Sequence, residues 1–223
     1  MEEDKLLAAP FFFRFAIPCR LADPVWGRSG IQLDESYRLP RFAALDQPAG
    51  SSGLDWADVR LAWGKAGIAF NVMVTGKGQP PWCRETRIED SDRISIWIDT
   101  RNTPDIHRAN RFCHAFHFLP ASGTARSSAP LVRQFRVERA REIAPLADDQ
   151  LLQVRSKILK NGYRLEGFIP REALTGFDPS EQPQIGFMYA VIDRELGEQT
   201  MTVGEEFPYH SDPSLWSTVD LVK

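Results

Sequence analysis

The stretch 93–102 constrains the fold of this chain most strongly, because its side chains alternate with a period of two until a polar run stops it. One side carries Ile94, Ile96 and Ile98, and the other carries Ser95, Trp97 and Asp99. This period is that of a β-strand with one buried aliphatic face. The Asp-Thr-Arg-Asn-Thr-Pro run that follows is typical of a turn. The stretch therefore predicts a core strand that delivers polar groups to the edge of a sheet.

Other segments alternate in the same way and are separated by turn residues. Two pairs are typical of hairpins: 58–63 with 68–74 across a Gly-containing turn, and 151–159 with 163–169 across Asn161-Gly162. Residues 11–20 alternate partly and contain Pro18, which indicates an edge strand. Roughly ten short strands without strand–helix–strand alternation predict an all-β chain. We expect a two-sheet antiparallel β-sandwich, jelly-roll-like, with short helical turns.

Length and charge limit the class of protein. A chain of 223 residues fits a single β-sandwich domain over 1–223, in which 1–54 forms an N-terminal strand plus a loop extension. The formal net charge of −3 gives no reason to expect nucleic acid as a partner. No apolar run approaches the ~20 residues of a membrane span, so no membrane partner is expected. The sequence leaves the oligomeric state open.

The cysteines and the first residues bear on the compartment. Cys19, Cys83 and Cys113 are odd in number and widely scattered, which fits reduced thiols better than a disulfide framework. Acidic residues precede the phenylalanine run at 11–13, the reverse of the basic start of a secretory signal peptide. We therefore expect a mature cytoplasmic chain.

Five motifs occur in an order that resembles a known family. They lie at 58–63, 92–99, 166–170, 185–193 and 211–218. In this order they are similar to the carbohydrate-binding modules of family nine and to the wider DOMON-like β-sandwich group, from about residue 55 onward. The resemblance implies a jelly-roll-like sandwich that binds a saccharide or related polyol at a loop-lined edge.

The resemblance also implies two aromatic rings that hold the sugar between them, with acid, amide and arginine groups around its hydroxyls. Trp82 stands where the first ring is expected, and Tyr209 stands near the position of the second. Trp216, inside the Leu-Trp-Ser-Thr motif, is expected to pack beneath the loops.

Polar residues near these rings are candidate partners for the sugar hydroxyls. Each hydroxyl taken from water must find a partner, because an unpaired buried polar group costs about 1–3 kcal/mol. The candidates are Glu89, Asp90, Arg101, Asn102 and Arg111. The alternative is a solvated rim in which these charges form weak ion pairs of about 0–1 kcal/mol.

Metal and cofactor sites are further alternatives. Four acids have the hard oxygen donors that calcium prefers, without EF-hand spacing; they are Glu89, Asp90, Asp92 and Asp99. Cys113 and His117 share a strand face but lack the four-ligand spacing of zinc. Some DOMON-like relatives bind haem through methionine, although core packing explains Met73 and Met188 more simply. We expect no cofactor, with calcium and haem as the alternatives.

The sequence lacks the short motifs of the common enzyme classes. It has no Gly-x-Ser-x-Gly elbow, no Walker loop and no His-Glu-x-x-His. We therefore predict a non-catalytic carbohydrate-binding module rather than an enzyme. The competing functions are a DOMON-like haem or small-molecule carrier and a structural or interaction domain with no ligand.

Overall fold

The computed structural model describes residues 16–42, 55–123 and 129–223. Within these ranges the chain forms eleven β-strands and short 3₁₀ turns, and no α-helix, so the all-β prediction is confirmed. In chain order the strands are β1 (Ala16–Leu21), β2 (Ala57–Gly64), β3 (Gly67–Thr75), β4 (Arg93–Asp99), β5 (Cys113–Leu119), β6 (Leu131–Phe135), β7 (Gln153–Leu159), β8 (Gly162–Pro170), β9 (Gln184–Asp193), β10 (Gly197–Thr200) and β11 (Ser217–Val222). None of the described residues lies in a helix of the length and apolarity needed to cross a membrane.

Hydrogen bonds join all the described strands into one mixed sheet, which differs from the predicted pair of antiparallel sheets. The order is β6-β5-β4-β9-β11-β1-β2-β3-β8-β7, and β10 pairs with β9. The parallel pairings of β1 with β11 and with β2 connect the two halves. Because the end strands β6 and β7 approach each other, the sheet is nearly closed, like a barrel. A separation into two sheets is therefore not confirmed.

The core lies between the half-sheet β6-β5-β4-β9 and the half-sheet β2-β3-β8-β7. The rings of Phe70 on β3 and Phe118 on β5 meet edge to face, with centroids 4.7 Å apart. Gly167 on β8 leaves room for both rings, because a Cβ there would lie 2.2 Å from the Phe70 ring. The three isoleucines of β4 are at most 1% exposed, so its aliphatic face is buried as predicted.

Both predicted hairpins are present. β2 pairs with β3 and β7 pairs with β8, each across a tight turn. Gly67 and Gly162 end these turns with φ of 146° and 156°, and a Cβ at either position would collide with a carbonyl oxygen of the neighbouring strand. Both positions therefore require glycine. The predicted helical turn after Pro170 is the 3₁₀ turn Arg171–Ala173.

The first strand is not an edge strand, so that prediction was wrong. β1 lies between β11 and β2, but it pairs with β2 only at Arg20 and Leu21. Pro18, which has no N–H to donate, therefore lies where β1 is paired on one side only. The predicted strand residues 11–15 and the predicted loop residues 43–54 lie outside the described part of the chain.

The segment 22–39 covers the outside of the half-sheet β2-β3-β8-β7. Successive residues of a strand point to opposite faces, so Phe168 points outward where Ile169 points into the core. Trp26 and Tyr37 pack against the small apolar cluster that results. The cluster consists of Val25, Ile31, Leu33, Ala62, Ala69 and Phe168.

Candidate functional site

The polar residues and the tryptophan predicted to bind a ligand fall into two groups at opposite ends of β4. Trp82, Glu89 and Asp90 precede β4, and Arg101, Asn102 and Arg111 lie beyond its last residue. Seven residues at about 3.3 Å each separate the two groups by about 20 Å. A single sugar ring therefore contacts one group or the other.

Trp82 is half-buried and covered by two guanidinium groups. The Cζ atoms of Arg84 and Arg194 lie 4.6 and 4.2 Å from the centroid of its ring. Cation–π contacts of this kind contribute about 0.5–1 kcal/mol at exposed sites. The indole is thus occupied by side chains of this chain instead of standing open as one half of a clamp.

A buried ion-pair cluster fixes the backbone at Trp82. Nζ of Lys77 lies 3.1 Å from Oδ2 of Asp92 and 2.6 Å from each carboxylate oxygen of Asp193. Asp92 in turn accepts hydrogen bonds of 2.8 Å from the backbone N–H groups of Trp82 and Arg194. Burial lowers the pKa of Lys77, but the hydrogen bonds to Asp193 and Asp92 outweigh it, and the net shift is upward. The cluster thus holds both the indole and one of its covering arginines.

Glu89 and Asp90 lie in the 3₁₀ turn Ile88–Asp90 and are exposed. The Asp90 carboxylate is 3.9 Å from Arg87, and both side chains are more than 60% exposed, which fits a solvated rim. The backbone carbonyl of Glu89 accepts a hydrogen bond from Nη1 of Arg93. This turn therefore contributes main-chain carbonyls that position Arg93.

Asp99 organises the group beyond β4. Its buried carboxylate accepts a 3.0 Å hydrogen bond from the backbone N–H of Arg101. Asn102, at a φ of 47°, accepts a hydrogen bond from the Thr218 hydroxyl at 3.1 Å. Asp99 and Asn102 therefore build the turn and tie it to β11.

Arg101 and Arg111 lie beside the same aromatic ring. Their Cζ atoms are 4.9 and 5.0 Å from the centroid of Phe112. Both side chains are exposed, and no ion pair to either is present among the described residues.

Tyr209 is buried rather than open to a ligand, with 5% of its surface exposed. Its hydroxyl donates to Oε1 of Glu198 at 2.8 Å, and its ring meets Trp97 edge to face with centroids 5.4 Å apart. The indole N–H of buried Trp216 donates to the Tyr209 carbonyl at 2.7 Å. Burial raises the pKa of Tyr209, and the neighbouring Glu198 carboxylate acts in the same direction.

The second face of β4 lies opposite its isoleucines and continues across its neighbours. Residues opposite one another in paired strands share a face, and the register places Ser95 opposite His117 on β5 and Ala190 on β9. β6 extends this face on one side, and β10 extends it on the other. We call the surface the β4 outer face. Its members are Arg93, Ser95, Trp97, His117, Arg133, Phe135 and Glu198, with Tyr209 packed on Trp97.

A hydrogen-bonded chain of three side chains crosses this face. The Ser95 hydroxyl accepts from Nε of Arg93 at 3.2 Å and lies 2.8 Å from Nδ1 of His117. The Ser95 hydroxyl can donate its own hydrogen to Nδ1 when His117 is the tautomer that carries its proton on Nε2. Nη2 of Arg93 and Nε2 of His117 have no hydrogen-bond partner within the described residues, so Arg93 has a free donor on this face and His117 has a second one in that tautomer.

Flat rings lie beside these donors. The imidazole of His117 stacks on Phe135 with centroids 3.7 Å apart and planes 9° from parallel, and both rings are partly exposed. Trp97 meets Phe135 edge to face at 6.2 Å. The indole Nε1 of Trp97 is buried and, among the described residues, has no hydrogen-bond partner. The face thus combines planar apolar surface with unpaired donors.

The charges on this face follow from its partial burial. Burial lowers the pKa of His117 to about 3, and the nearby Arg93 charge acts in the same direction, so the imidazole is neutral at pH 7. Burial also lowers the pKa of Arg93, which stays charged. For Glu198 burial raises the pKa, against the opposing effect of the Tyr209 hydrogen bond. The face therefore offers the guanidinium groups of Arg93 and Arg133, one carboxylate and one neutral imidazole.

Sequence reasoning missed most of these residues. The alternation of 93–99 already placed Ser95 and Trp97 opposite the aliphatic side, so that polar side of the strand was the available signal. Phe135 lies on β6 and Glu198 lies on β10, and these strands pair with β5 and β9. No local pattern in the sequence indicates either pairing.

The structure gives the candidate metal ligands other contacts. Asp92 and Asp99 lie at opposite ends of β4, and each is hydrogen-bonded to backbone N–H groups. Within the described ranges, no cluster of three or more His, Cys, Asp or Glu side chains is arranged to hold a metal ion. Met188 accepts a hydrogen bond from Thr202, whereas Met73 lies on β3 in the other half of the sheet. All three cysteines are buried and free.

Solved structures share this fold. The structure of a family 9 carbohydrate-binding module from Caldicellulosiruptor kristjanssonii in complex with cellotriose matches 93% of this chain and 94% of its own, with a TM-score of 0.59 and 15% identity. A structure of a family 9 module from the same organism in complex with glucose matches 94% of this chain and 96% of its own, with a TM-score of 0.58 and 15% identity. No protein-family model and no curated protein matches the sequence. The likeness confirms that the all-β fold of this chain resembles that of family 9 modules.

Proposed function

We propose that this chain is a non-catalytic carbohydrate-binding module of jelly-roll type whose saccharide lies on the β4 outer face. One observation carries the proposal: partly exposed flat rings stand beside unpaired hydrogen-bond donors and a carboxylate on a single face of the sheet. Support for the ligand class comes from the shared fold, because the family 9 modules with this fold were solved with cellotriose and glucose.

The chemistry of the face suits a sugar ring. The C–H groups of a pyranose have the apolar, flat character that packs on the stacked pair of Phe135 and His117. Its hydroxyls are donors and acceptors at once, so they can accept from Arg93 and His117 and donate to Glu198. Each such pairing matters, because a polar group buried without a partner costs about 1–3 kcal/mol.

Trp82 borders this face at the Arg93 end, since its backbone is bonded to Asp92, the residue before β4. We place it as an outer contact for a longer saccharide, which extends past Arg93 and displaces one of the two arginines that cover the indole. Tyr209 acts beneath the surface, where it orients the Glu198 carboxylate. In this role Tyr209 is a positioning residue.

Calorimetric titration with cellotriose tests the proposal. The Glu198→Ala variant is expected to bind at least about tenfold more weakly than the unaltered chain, a loss of about 1.4 kcal/mol. Glu172→Ala is the matched control, because Glu172 is exposed in the 3₁₀ turn Arg171–Ala173, away from the face. Equal affinities for the two variants would move the ligand off the β4 outer face. No heat with cellotriose, glucose or other neutral oligosaccharides would overturn the saccharide assignment.

A further inference from the structure

A separate cavity of about 380 Å³ lies on the opposite half of the sheet. This volume is within the range of about 300–1,000 Å³ that small-molecule sites occupy. Phe168 lines the cavity and belongs to the apolar cluster outside β2-β3-β8-β7, so the core separates the cavity from the β4 outer face. The other lining residues include Trp26, Val25 and Leu21 on the walls and Asp23, Lys65 and Gln153 toward solvent.

The aromatic wall of this cavity is held in place before any ligand arrives. Trp26 stacks on Phe168 with ring centroids 5.8 Å apart and planes 15° from parallel. Its indole N–H donates to Oε1 of Gln153 at 2.6 Å. The backbone that follows Trp26 is tied to β8 by a 3.2 Å hydrogen bond from the N–H of Ile31 to Glu166. Because these side chains are already ordered, little conformational entropy is lost when a ligand packs against them.

The residues at the mouth of the cavity are polar, whereas the residues of its walls are apolar. Asp23, Lys65 and Gln153 are exposed and offer a carboxylate, an ammonium group and an amide. These groups can accept from and donate to hydroxyls, while Val25, Phe168 and the part of Trp26 that Arg155, with its Cζ 5.8 Å from the ring centroid, leaves uncovered offer apolar surface to C–H groups. A wholly apolar ligand would use none of the three polar groups.

We propose that this cavity is a second saccharide site, with Trp26 as its aromatic wall. The inference rests on the proposed function for its ligand class, but it concerns a different face of the molecule. A chain with two such sites can hold two stretches of one polysaccharide, and the second binding step then becomes intramolecular.

Fluorine NMR of protein labelled with 5-fluorotryptophan separates the two sites, because the chain has six tryptophans and each gives its own signal. The Trp26 signal is assigned from its loss in Trp26→Phe, and the Trp97 signal is assigned in the same way. Glucose is the probe. We expect the Trp26 signal to shift with saturation, and Ala66→Phe, which places a ring at an exposed lining position, to weaken that response at least about tenfold.

Lys160→Phe is the matched control, because it adds the same ring at the β7–β8 turn, at the far end of β7 from Gln153. It should leave the Trp26 response unchanged, and both variants should leave the Trp97 response unchanged. A Trp97 shift without a Trp26 shift overturns the second site and keeps the proposed function. A Trp26 response that Ala66→Phe leaves intact also overturns it, and silence of both signals overturns both proposals.

Discussion

The ammonium group of Lys77 lies 2.6 Å from both carboxylate oxygens of Asp193, although 116 residues separate the two in the chain. Asp92 completes the cluster and connects it to the backbone of Trp82 and Arg194. Since the three side chains are almost wholly buried, each charge depends on the others for its stability. The cluster thus joins β9 to the segment that precedes β4.

The first prediction concerns the stability that depends on this cluster. Lys77→Met leaves two buried carboxylates without their cation, so we expect a loss of about 3–5 kcal/mol in the free energy of unfolding. Arg133→Met is the control, because Arg133 pairs with Glu85 at the surface and should cost about 0–1 kcal/mol. Urea unfolding measures both. A cost for Lys77→Met below that of the control would show that the buried pair contributes nothing.

The second prediction concerns the orientation of Glu198 by Tyr209. Tyr209→Phe keeps the ring that packs on Trp97 but removes the hydroxyl that donates to Glu198. We expect weaker cellotriose binding, and a double-mutant cycle with Glu198→Gln should give a coupling energy of about 0.5–3 kcal/mol. Calorimetry of the four proteins measures it. Strict additivity would mean that the hydroxyl does not orient the carboxylate.

The third prediction concerns the reach of the site toward Trp82. If the tryptophan contacts only a longer saccharide, Trp82→Ala should weaken cellotriose binding by at least about fivefold, or about 1 kcal/mol, and leave glucose binding unchanged. Titration with both sugars measures the ratio. Equal losses for the two sugars would place Trp82 against the first ring, and no loss for either would exclude it from the site.

The fourth prediction concerns acid stability. Burial lowers the pKa of His117 to about 3 and that of His114 to about 4, whereas an unfolded histidine titrates near 6.5. Below about pH 6.5 the unfolded state therefore binds protons that the folded state does not. Stability should fall as the pH drops from about 6.5 toward 4, by up to about 1.4 kcal/mol per pH unit for each histidine. Above that window the two histidines contribute no pH dependence.

Urea unfolding at several pH values measures this slope in His117→Gln and in the control His210→Gln, since His210 is exposed. The first variant should have a shallower acid slope than the unaltered chain, and the second should match it. If His117→Gln retains the full slope, the buried imidazole is not the titrating group.

Local patterns in the sequence predicted the elements well. The alternation of 93–99 placed the isoleucines of β4 in the core, and glycine-containing turns marked both hairpins. These features depend on neighbours within a few residues of one another. The same alternation also separated Ser95 and Trp97 onto the face that we now assign to the ligand.

Long-range pairing could not be predicted in this way. The parallel contact of β1 with β11 joins residues about 200 positions apart, and no side chain near Pro18 signals it. For the same reason Tyr209 was predicted to be an open ring, although the turn after β10 buries it on Trp97. The candidates on either side of β4 are close in sequence, but an extended strand carries them apart.

A crystal structure of the protein with cellotriose shows where on the sheet the saccharide binds. We predict a sugar ring on the β4 outer face, stacked on Phe135 and His117 and within hydrogen-bond distance of Arg93 and Glu198. Cellotriose bound at the Arg101 and Arg111 end of β4, with the outer face empty at saturating concentration, would contradict it.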